Sequence, residues 1–72
     1  NAFNNMNNQA QSFQSKARTA LSNGDALTAY EFVQKAHAVI QDYERSPLFI
    51  EGKTSGIRGS LGKLESRILS CQ

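Results

Sequence analysis

The chain has 72 residues, a formal net charge of +2 and a single cysteine, Cys71. That length makes one domain, 1–72, with a small core; an internal disulfide is excluded, and no Cys/His cluster offers to hold zinc. A charge of +2 does not announce a nucleic-acid binder, and no apolar run is long enough for a membrane span. The N-terminal stretch shows no basic-then-apolar leader. A lone cysteine fits a reducing compartment, so a cytoplasmic location is expected.

The first segment, Phe3 to Leu21, is dominated by Asn, Gln, Ser and Ala, and its first charge is Lys16. It has the look of a polar low-complexity tail. Yet Phe3, Met6, Ala10, Phe13, Ala17 and Ala20 recur in steps of three and four, the pattern of a helix that meets other helices. A helix is expected here, firm from about Ala10 onward. Asparagine is a poor helix former, so fraying over residues 1–8, or a disordered lead-in to about Asn8, stands beside a helix that starts at Phe3.

Asn23-Gly24 supplies the stop, since both residues tolerate the left-handed conformation at a helix C-terminus. Asp25 is placed to cap the next helix through its carboxylate. From there Ala26, Ala29, Val33, Ala36, Ile40 and Tyr43 mark one face of a second helix, widened by Leu27, Tyr30 and His37. Glu31 and Lys35 stand four apart in the favourable order on a more polar side. The Ala-rich stripe lets a neighbouring helix approach closely. Ser46-Pro47 ends the pattern, because proline disfavours helix in the residue before it. A short turn between the two helices predicts an antiparallel hairpin.

Residues 47–56 read as a connector. Leu48, Phe49 and Ile50 either cover one end of the hairpin or form a docking surface; covering is the expectation, because so small a domain needs every large apolar side chain. A third helix follows from Ile57, Leu61, Leu64, Ile68 and Cys71. Gly52, Gly56, Gly59 and Gly62 crowd its beginning, and each glycine in a helix costs about 1 kcal/mol relative to alanine. The helix therefore starts late, near Ser60, or it starts about Thr54 with the glycines forming a flat face for another backbone. The fold class expected is all-α, an antiparallel helical hairpin plus a third helix.

Candidate chemistry is sparse. Gly52-Lys53-Thr54 hints at a phosphate loop, but that motif needs a glycine where Pro47 stands, and a preceding strand. His37 lies beside the apolar stripe and reads as a packing residue; Asp42 and Glu44 follow within two turns but are expected off its face, so no general-base arrangement follows. Cys71 continues the stripe of the third helix, as a small hydrophobe or as a thiol for an intermolecular disulfide. Tyr30, Phe32 and Tyr43 could form an exposed aromatic patch, with Phe32 off the main stripe, near a helix edge or outside as a partner site, or else part of a second buried face. Arg58, Lys63 and Arg67 make the third helix mildly basic, as a solvated face or as phosphate contacts.

Phe13, Ala17, Gly24-Asp25, Ala29, Val33 and Ala36 resemble one tetratricopeptide repeat: the aromatic residue, the small residue of its first helix, the Gly-Asp turn and the small–large–small triplet of its second. The likeness spans about half the chain and departs at Ala20, where a larger aromatic is usual, and at Gln41, in place of the closing proline. One repeat is too few for a solenoid. The hairpin with a third helix also looks like microtubule-interacting-and-trafficking domains, and its size and plan are similar to small chaperones of type III and flagellar secretion. All three families bind helical or extended segments of other proteins. The three apolar stripes and the sparse chemistry lead to the expectation of a non-enzymatic interaction module without cofactor or metal, of which the resemblance suggests an adaptor or a secretion-type chaperone as a specific version. Its partner contacts are expected at Leu27, Tyr30, Phe32 and Val33, with Arg58 and Lys63 as polar rim. Two rivals remain: a homo-oligomeric helical bundle, and a weak nucleic-acid binder using the third helix.

Overall fold

The computed structural model describes residues 2–47 and 49–70. Three helices follow in order: α1 (Ala2–Ser22), α2 (Ala26–Glu44) and α3 (Ser55–Ser70). No strand occurs among the described residues, so the fold is all-α. The molecule measures 38 × 16 × 14 Å, a length close to that of α1 alone, about 32 Å at 1.5 Å per residue. The longest and closest packing is between α1 and α2; α3 lies mainly against α2 and touches α1 less.

The hairpin turn is built by local chemistry. Gly24 has φ +83°, the left-handed conformation that costs a non-glycine residue about 1–2 kcal/mol. The Asp25 N–H donates to the Ala20 carbonyl at 2.9 Å, and the Gly24 N–H to the Leu21 carbonyl at 3.0 Å. This pair of bonds is a Schellman cap, and it satisfies carbonyls that the end of α1 would otherwise leave bare. The Asp25 carboxylate in turn accepts from the Thr28 N–H at 3.1 Å. One residue thus closes α1 with its amide and opens α2 with its side chain. Thr28 also holds the Asp25 carboxyl below its ordinary pKa, because the bonds it donates favour the charged form.

The core takes Met6, Ala10, Ala17 and Ala20 from α1, Ala29, Val33, Ala36, Ile40 and Tyr43 from α2, and Leu61, Leu64 and Ile68 from α3. Val33, Ile40, Leu61 and Ile68 are the largest side chains wholly out of solvent, each contributing about 1.5–3 kcal/mol of apolar burial. Most residues of the expected stripes are these; Phe3, Phe13, Ala26 and Ile57 are half-buried and pack against the core from its edge. Two polar residues are buried, Gln14 and Thr54. Gln14 is 2 % exposed, and its Nε2 has no hydrogen-bond partner among the described residues.

Both uncertain helix starts fall at the earlier of the expected alternatives. α1 is helical from Ala2, straight through the asparagines. Met6 is buried, and the Phe3 ring meets Tyr43 edge-on at 5.9 Å, so tertiary packing outweighs the poor propensity of the asparagines. α3 likewise begins at Ser55, well before Ser60. Its glycines are not a packing face: a Cβ on Gly56, Gly59 or Gly62 would meet nothing within 4 Å. They point outward, while Leu61, Leu64 and Ile68 point inward and anchor the helix.

The connector clasps the end of the hairpin. Phe49 packs edge-on against Tyr43 at 5.7 Å, and the Tyr43 hydroxyl accepts the Ile50 N–H at 3.2 Å. Phe49 therefore covers the hairpin end as expected, while Ile50 remains 52 % exposed. Leu48 and Cys71 lie outside the described residues. Gly52, at φ +87°, turns the chain toward Thr54, whose hydroxyl is buried and donates to Glu44 at 2.8 Å.

Candidate binding groove

Where α3 meets α2, a row of polar groups joins the helices. The Arg58 guanidinium grips Glu44, with Nε donating to Oε2 at 3.1 Å and Nη2 bonded to Oε1. Arg58 Nη1 lies 3.4 Å from His37 Nδ1, His37 Nε2 lies 3.9 Å from Glu65 Oε1, and the Gln34 amide donates to Glu65 at 3.0 Å. His37 and Glu44 are seven residues apart, two turns, which puts them on one face; the sequence reading that separated them was wrong on this point. The arrangement is an interhelical clamp. Arg58 and then Thr54 hold the Glu44 carboxyl below its ordinary value by hydrogen bonding, and Glu44 raises the pKa of Arg58.

The six residues expected to contact a partner do not converge. Val33 is 0 % exposed and binds the helices together, so it offers nothing to a partner surface. Arg58 faces α2 and is committed to Glu44. Lys63 lines a shallow hollow of about 280 Å³ with Arg18, Ser60, Leu64 and Arg67, between α1 and α3. Leu27 is 69 % exposed near the start of α2, and Tyr30 is half-buried. Tyr43 is buried, so it does not join Tyr30 and Phe32 in an exposed patch.

Phe32 is the residue that leads to a site. Its ring stacks on Phe13 at 6.2 Å with an interplanar angle of 26°. Beside this pair, toward the Gly24 turn, a hollow of about 450 Å³ opens between α1 and α2, lined by Lys16, Thr19, Ala20, Asn23, Thr28 and Phe32 among others. A second hollow of about 240 Å³ lies between the same helices toward the other end, lined by Ala2, Met6, Gln9, Val39, Asp42, Tyr43 and Ser46. No α3 residue lines either hollow. The two hollows and the aromatic pair belong to one flank of the hairpin, which α3 leaves open.

Two lysines overhang this flank. Lys16 Nζ lies 5.8 Å from the Phe13 ring centroid and 5.9 Å from that of Phe32; Lys35 Nζ lies 5.3 Å from Phe32. Such cation–π contacts contribute about 0.5–1 kcal/mol at exposed sites. Lys35 makes no ion pair with Glu31, the expected helical partner; among the described residues the ion pairs are His37–Glu65 and Arg58–Glu44. Phe13, Lys16 and Lys35 were absent from the expected contacts. An antiparallel hairpin folded at Asn23-Gly24 sets side by side the residues at comparable distance from the turn, and that rule pairs Phe13 with Phe32.

Among the described residues, no group of three or more His, Cys, Asp or Glu side chains could hold a metal ion, and no helix is long and apolar enough to cross a membrane. The fold and site define a three-helix all-α protein with an open groove on its hairpin. In comparisons with protein-family models, curated proteins and solved structures, the chain matches none.

Proposed function

We propose that this chain is a non-enzymatic protein-interaction module that takes an amphipathic or extended segment of another protein in the groove between α1 and α2. The observation that carries the reading is the flank of the hairpin left uncovered by α3, where a hollow of about 450 Å³ adjoins the Phe13–Phe32 stack. A concave apolar strip between two helices suits a helix laid into a groove, with large side chains filling the hollows. An adaptor or a small secretion-type chaperone, holding an aggregation-prone helix of its client, is the specific form that the resemblance suggests. Of the residues expected from sequence, Phe32 belongs to this surface.

Panning a displayed library of amphipathic helical peptides against the isotope-labelled chain tests the reading. Selected peptides are expected to move the amide resonances of residues 15–20, 28 and 32 and to leave those of α3 in place. Peptides that bind but perturb only α3, or a library that yields no binder, would refute it.

A further inference from the structure

Resting on the groove reading, we infer that the segment bound there is an acidic amphipathic helix, whose central turns carry carboxylates beside its apolar anchors. The inference comes from the two ammonium groups that stand over the aromatic pair. Lys16 and Lys35 belong to different helices and reach toward the same Phe32 ring from 5.9 and 5.3 Å. Neither meets a carboxylate among the described residues, although Glu31 precedes Lys35 by four positions and is free to do so. An apolar side chain laid on Phe13 and Phe32 places its helical neighbours within reach of both lysines. Partial exclusion of water strengthens ion pairs formed there. A carboxylate on either side of the anchor is favoured, and a lysine or arginine is disfavoured by like charge.

The carboxylates of the groove itself lie elsewhere. Asp25 lines the hollow at the Gly24 end, where its side chain already accepts from Thr28, and Asp42 lines the far hollow. The positive charge is therefore central, and the acidic residues of the partner belong in its middle turns and not at its ends.

A second copy of this chain fits the groove poorly. Two grooves docked about an axis through the Phe13–Phe32 stack would bring four ammonium groups together. α1 contains no Asp or Glu at all, so one helix of each copy has no carboxylate to offer.

Two designed peptides decide the matter. They share one face of leucine and phenylalanine at helical spacing and differ only in the central residues bordering it, glutamate in one and lysine in the other. Affinity is measured by titration calorimetry at low and high salt. The glutamate peptide is expected to bind roughly tenfold tighter at low salt, the worth of two modest ion pairs replaced by two repulsions. The preference should shrink at high salt, and it should vanish in the exposed double variant Lys16→Gln/Lys35→Gln, whose fold is checked by circular dichroism. Equal affinities for the two peptides overturn the inference about charge while leaving the groove reading intact. Absence of binding by either peptide overturns both. Concentration-dependent dimerisation that is abolished by Phe32→Ala overturns the inference in favour of a second copy as the occupant.

Discussion

Replacing Gly59 and Gly62 by alanine should make this protein substantially more stable. Both residues lie inside α3, and a Cβ added at either meets nothing within 4 Å. The substitution therefore brings no clash and no packing gain. Its effect is that of intrinsic helix propensity, about 0.8–1.0 kcal/mol for each glycine replaced in a helix interior. The gain acts through the unfolded chain, which has fewer conformations to lose. Two such changes sum to about 2 kcal/mol, and for a domain of this size each kcal/mol raises Tm by about 4–8 °C. Gly56 lies in the first turn and should add less. Urea and thermal unfolding followed by circular dichroism measure the change directly. Gly24→Ala is the matched contrast: its φ of +83° is unfavourable to any side chain, and it should lose about 1–2 kcal/mol. If the double variant is unchanged or weakened while remaining folded, then the glycine face of α3 is covered by something, and the outward orientation assigned to it is wrong.

Two further changes probe the polar groups. Gln14→Leu removes a buried amide nitrogen with no partner, so a gain of about 1–2 kcal/mol in unfolding free energy is expected; a loss would mean that the amide makes a bond. The clamp at Glu44 makes stability depend on pH. Its carboxyl sits below the ordinary 4.5 in the folded protein, so its contribution is complete above that value and is lost as pH falls through the lowered pKa. The urea midpoint should thus drop as pH is lowered below 4.5. Glu44→Gln should cost about 1 kcal/mol at neutral pH, since the pair is partly exposed, and should blunt the acid dependence; an unaltered pH profile would deny the clamp a part in stability.

Much of the architecture could be read from the amino acids, and the reasons differ by element. α2 was legible from end to end because its cap, its stripe and its proline-flanked stop are local signals that agree. The start of α1 was not, since what holds residues 2–9 in a helix is distant: Met6 in the core and Phe3 against Tyr43. The start of α3 was hidden behind glycines that weigh against a helix locally, while Leu61, Leu64 and Ile68 secure it from below. The surface was the hardest part. Phe32 stood out by its offset from the stripe, but Lys16, Lys35 and Phe13 acquire meaning only once the register of the hairpin is known. The expectation of Arg58 as polar rim misses its carboxylate partner, which is fourteen residues away, across a connector whose path no periodicity encodes.

Tyr43 has a consequence for how the molecule comes apart. Its ring receives Phe3 on one side and Phe49 on another, and its hydroxyl fixes the backbone of Ile50. The first turn of α1 and the link into α3, nearly fifty residues apart in sequence, are thus pinned by a single side chain. Loosening either withdraws a support from the other, so the two segments are expected to open together as one cooperative latch.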